Sequence, residues 1–146
     1  MKFPNFRSFI GKNDYRGSEN RANQLKALSL ELLPDNVIAK VYDKKEKGAV
    51  LMIKTESLTC DLTVKVSKNE ATYTMNYFTE NWAPSKSAHE EKCTLYDFLL
   101  LLQRFASPKD KLIPKSVCSK IAENPDSWAE ILKNSRGEIS GGKFGF

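Results

Sequence analysis

The single histidine of the chain, His89, lies four residues before Cys93, with Glu90 and Glu91 between them. On one helical turn that spacing sets an imidazole and a thiol on the same face, where they could ligate a metal or act as base and nucleophile. Neither chemistry closes. A tetrahedral metal site would still need Cys60 and Cys118, which fall on unrelated segments, and a Cys–His nucleophile needs a geometry that nearness in sequence does not supply. Cys93 also precedes a helix start, a position that can lower a thiol pKa, but the expectation here is an ordinary thiol beside a helix cap. Gly137-Glu138-Ile139-Ser140-Gly141-Gly142-Lys143 spells G-x-x-x-x-G-K. A phosphate-binding loop needs a strand before it and a Ser or Thr after the Lys, and Phe144 stands there instead. The carboxylate pairs Glu90-Glu91 and Asp126 with Glu130 read as solvated faces. The sequence thus predicts no catalytic residue, no metal and no cofactor.

What remains is chemistry of recognition. Phe3, Phe6 and Phe9 interleave with Lys2, Arg7 and Lys12, a composition that can stack bases and track phosphates, or else plug the open edge of a core. Trp82 and Lys86 sit in a polar stretch, residues 79–93, whose length without structure predicts a loop that is either functional or mobile. Thr59, Thr63, Lys65, Thr72, Thr74 and Asn76 share the outer face of a hairpin, as β propensity or a docking surface would have them. Toward the C-terminus, Lys109, Lys111, Lys115, Lys120, Lys133 and Arg136 decorate two short helices around Asn124-Pro125. Those helices have a helix-turn-helix outline without the Arg, Asn and Gln run of a major-groove reader. The predicted partner-binding set is Lys2, Phe3, Phe6, Arg7, Phe9, Lys12, Trp82, Lys86, Lys115, Lys120, Lys133 and Arg136.

Charge supports that choice. The 146 residues carry 23 Lys and Arg against 18 Asp and Glu, a net +5. Residues 1–17 net +3, with four basic side chains against Asp14; residues 103–146 net +3, eight against five; the body between nets −1. Basic ends on a near-neutral body predict an acidic or nucleic-acid-associated partner. No apolar run approaches the ~18 residues of a membrane span. The N-terminus lacks a signal-peptide pattern, and an odd count of three cysteines fits a reducing compartment, so the expected location is cytoplasmic.

The elements that position these residues follow from periodicity. Ala22, Leu25, Leu28 and Leu32 recur at helical spacing after Ser18, a candidate cap, and Pro34 ends the run. Val37–Tyr42 and Ala49–Ile53 flank the charged loop Asp43–Gly48 as two strands. Leu58 to Val66 and Ala71 to Tyr77 alternate strictly around the two-residue turn Lys68-Asn69. With that turn, Val66 pairs Ala71, Val64 pairs Tyr73, Leu62 pairs Met75 and Cys60 pairs Tyr77, so apolar meets apolar throughout. Thr94 and Asp97 form a capping box for a helix to Ala106, whose wide apolar surface predicts the central core helix. Two shorter helices follow, Pro114 to about Glu123 and Pro125 to about Ser135, with Asn124 capping the second and Gly137 ending it.

The fold class expected is α+β: an N-terminal helix, a four-stranded antiparallel meander, and three C-terminal helices packed on one sheet face. Residues 1–17 form a basic aromatic arm, 18–137 a single domain and 138–146 a Gly-rich tail. The function expected is that of a non-catalytic adaptor or inhibitor module. Its rival is direct nucleic-acid binding through the arm.

Overall fold

The computed structural model describes residues 15–68, 70–79 and 91–138, the last three as backbone only. Among the described residues it is α+β, with a five-stranded antiparallel sheet and four α-helices. The strands are β1 (Ile38–Asp43), β2 (Ala49–Lys54), β3 (Leu58–Ser67), β4 (Glu70–Thr79) and β5 (Glu91–Cys93), in spatial order β1-β2-β3-β4-β5. The helices are α1 (Tyr15–Leu32), α2 (Leu95–Phe105), α3 (Lys115–Glu123) and α4 (Trp128–Glu138).

The β3–β4 hairpin has the register its alternation predicts. Ser67 faces Glu70, and all four apolar pairs from Val66–Ala71 to Cys60–Tyr77 are in place. Leu58, Cys60, Leu62, Val64 and Tyr73 are buried, because period-two alternation sends them all to the side the helices cover. Lys68 carries φ 54°. A positive φ is what a two-residue hairpin turn demands to match the strand twist.

Three expectations need correction. Part of the expected 79–93 loop is a fifth strand: Tyr73, Thr74 and Met75 pair with Cys93, Lys92 and Glu91. Three residues show no alternation, so nothing in the sequence marked them. Second, α1 starts at Tyr15 and Ser18 lies inside it, fully buried, where its Oγ accepts the Val66 N–H at 2.8 Å. Val66 lies beyond Ala49, the first residue of β2, which pairs with Val64; the hydroxyl of Ser18 supplies the acceptor that β2 no longer offers. Third, α4 runs through Gly137 to Glu138. Asn124 caps nothing on the backbone, its Nδ2 donating instead to Ser127 Oγ at 3.1 Å. The Thr94–Asp97 capping box does form, Asp97 N–H to Thr94 Oγ1 at 3.1 Å and Thr94 N–H to Asp97 Oδ2 at 3.0 Å.

The layering also differs from expectation. The helix that crosses the sheet is α1, lying over β1, β2 and β3, while α2 sits toward β4 and carries α3, which in turn carries α4. The three C-terminal helices therefore stack outward from the sheet rather than sharing its face equally. Small residues explain the exchange. Ser18, Ala22 and Ser29 join Leu25, Leu28 and Leu32 on the buried stripe of α1, and they let that helix approach the strands closely, whereas α2 is broad enough to be packed on two sides by sheet and helices. Polar ties fix the layers: Arg21 donates to the Tyr73 hydroxyl at 2.8 Å, Gln24 to Asp126 at 2.9 Å, and Lys111 to the Leu33 carbonyl at 2.8 Å. Ser57 reaches the Phe105 carbonyl at the far end of α2.

Candidate interaction surface

With every described helix on one side, the residues of β1 that point the other way are exposed. Ile38 is 47% exposed and Tyr42 45%, with the exposed Lys40 between them. The hydrogen-bond phase of the sheet decides what the backbone of β1 does. Lys44 N–H donates to Gly48 at 2.7 Å, and Thr55 N–H to Leu58 at 2.8 Å. In an antiparallel ladder, bonded and non-bonded pairs alternate, so Ile38, Lys40 and Tyr42 bond to Lys54, Met52 and Val50 of β2. Ala39 and Val41 therefore turn their N–H and C=O groups away from the sheet, where no described group bonds them. Among the described residues β1 is an open edge, six residues long.

Charge gathers at the same place. Residues 36–54 hold Lys40, Lys44, Lys45, Lys47 and Lys54 against Asp43 and Glu46, a local +3, and all seven are exposed. The turn that concentrates them is tightly packed. Lys45 N–H donates to Asp43 Oδ1 at 2.7 Å, and Gly48 has φ 111° with no room for a side chain: a Cβ there would lie 2.2 Å from the Val64 carbonyl oxygen.

At the opposite edge, β5 ends at Cys93 opposite Tyr73, beside a half-open pocket of about 440 Å³ lined by Ala71, Thr72, Leu95 and Ala122 among others. Cys93 is half-buried in its wall, and burial together with the Asp97 carboxylate pushes its thiol up to about 11. The residue that caps α2 thus works against the thiolate a nucleophile would need. Burial also raises Cys60 on β3 and Cys118 on α3, and Asp61 adds to the effect on Cys60. No group of three His, Cys, Asp or Glu able to hold a metal occurs among the described residues, and no described helix is long and apolar enough to cross a membrane.

Of the predicted binding residues, Lys115 and Lys120 are exposed on α3 and Lys133 on α4. Five residues apart, Lys115 and Lys120 point about 140° away from each other around the helix, so they do not make one stripe. Arg136 falls on the backbone of α4. Lys2, Phe3, Phe6, Arg7, Phe9, Lys12, Trp82 and Lys86, like His89 and residues 139–146 of the Gly-rich tail, lie outside the described residues. Asp126, read as a solvated carboxylate, is exposed and from the surface accepts from Gln24 of α1 at 2.9 Å and lies 4.0 Å from Arg21. Sequence reasoning passed over Ile38, Lys40 and Tyr42, although the meander order already put β1 at an edge. Searches against protein-family models, curated proteins and solved structures find no match to this chain.

Proposed function

We propose that the protein is a small intracellular, non-catalytic interaction module, of adaptor or inhibitor type, for an acidic or nucleic-acid-associated protein. The observation that supports this reading is the open β1 edge, where unbonded main-chain groups at Ala39 and Val41 lie beside exposed Ile38 and Tyr42 under a local charge of +3. Edge strands are usually blunted, because free amides and carbonyls recruit other chains. Here Lys40 is the only blunting side chain in the middle of the strand, and it doubles as a handle for an acidic partner.

The test is affinity capture with the full chain, with and without nuclease, at two salt concentrations. A protein recovered after nuclease and weakened by salt is the expected result. Recovery abolished by nuclease would transfer the function to the rival reading, direct polynucleotide binding through Lys2, Phe6, Arg7 and Lys12.

A further inference from the structure

We propose that the β1 edge takes an extended acidic segment of the partner as a sixth, antiparallel strand. This rests on the reading of the chain as an interaction module, and names the site and the chemistry of what docks there. Ala39 and Val41 offer two N–H donors and two carbonyl acceptors in one line, the main-chain contacts from which strand addition draws affinity. Specificity comes from alternate side chains. On the face away from α1 the added strand's residues stand beside Ile38, Lys40 and Tyr42 in non-hydrogen-bonded pairs, whose Cβ atoms approach to about 4.5–5.5 Å. An acidic residue opposite Lys40, with apolar β-branched or aromatic residues two positions to either side, satisfies all three.

The charge of the β1–β2 hairpin selects for acid, with five Lys against Asp43 and Glu46 in residues 36–54. A second copy of the chain fits less well. The register that matches Ile38 to Tyr42 of the copy sets Lys40 directly against Lys40, a repulsive cross-strand pair.

The probe is the acetylated, amidated heptapeptide TVTEVYT, whose first Val, Glu and Tyr share a face, titrated into the full chain and followed by amide NMR. Shifts confined to β1 and slowed exchange of the Ala39 and Val41 amides are expected, with binding at least fivefold weaker for TVTKVYT. Val41→Pro removes one outward N–H at an edge position where proline is tolerated, so it should abolish binding while the rest of the spectrum is kept. Lys40→Glu leaves the backbone untouched and should invert the preference between the two peptides. Shifts centred on β5, equal binding of both peptides, self-association through β1, or no shift at about 1 mM peptide would each overturn the proposal. If it is overturned while a protein is still captured after nuclease, the docking site is wrong and the module reading stands; if nuclease abolishes capture, the module reading itself has failed.

Discussion

Ser18 shows how a single side chain can be misread from sequence and still obey ordinary chemistry. Before a run of helix-spaced apolar residues it has the composition of a cap, yet its hydroxyl serves a strand 48 residues away, accepting from Val66. Long-range demand outweighs local propensity because an unsatisfied buried N–H costs about 1–3 kcal/mol. Ser18→Ala should therefore destabilise the protein by about 1–3 kcal/mol in urea titration, far more than an exposed serine in a helix interior would. A change under about 0.3 kcal/mol would mean that solvent or the chain resupplies the acceptor. Cys93 gives the second residue-level expectation. With its thiol near 11 against an ordinary 9.0, its thiolate fraction at pH 8 is about a hundredfold lower than that of a free cysteine, and Ellman's reagent should show no fast-reacting thiol. The linkage has the same sign: the folded state holds the proton where the unfolded chain has lost it, so Cys93 lowers stability as pH rises from 9 to 11. Cys93→Ser should flatten that decline.

At the scale of elements, what was legible is what repeats. The β3–β4 hairpin runs ten residues on each side with both faces self-consistent, and it formed in the expected register; Leu62, fully buried at its centre, should cost about 2–5 kcal/mol on truncation to Ala. β5, only three residues long, carries no period to detect. The apolar breadth of α2 predicts a central place for it, yet α1 crosses the sheet, because small residues decide how closely a helix can lie on strands. The β1–β2 turn supplies the matching prediction. Gly48→Ala puts a methyl group 2.2 Å from the Val64 carbonyl at a φ of 111°, and neither backbone can yield cheaply. The melting temperature should fall by at least as much as for a core truncation, since overpacking and left-handed strain each cost about 1–3 kcal/mol. Loss of only a degree or two would show that the hairpin turn relaxes freely.

Across the whole molecule, the near-neutral charge of the long central segment hides a local basic stretch that the fold sets beside a sheet edge. The body of residues 18–102 nets −1, yet the β1–β2 hairpin inside it nets +3, and nothing in the linear count says that those lysines border an open edge. The two functional readings differ in where the useful charge lies, and salt separates them. If the N-terminal side chains Lys2, Arg7 and Lys12 bind single-stranded nucleic acid, three neutralised phosphates give a slope of about −2 for log affinity against log salt, and Phe6→Ala weakens binding by about 1–3 kcal/mol. The module reading predicts a shallower slope, indifferent to Phe6, and reduced by Lys40→Glu. Fluorescence anisotropy with a labelled oligonucleotide measures both variants in one assay. Deleting residues 1–14 completes the comparison; the cut cannot extend to residue 17, because α1 begins at Tyr15 and Ser18 is buried in the fold. The shortened chain should keep its melting temperature and its binding of the acidic heptapeptide at β1, while any oligonucleotide affinity falls. A steep salt slope that Phe6→Ala weakens and Lys40→Glu leaves alone would reverse the assignment and place recognition in the N-terminal residues.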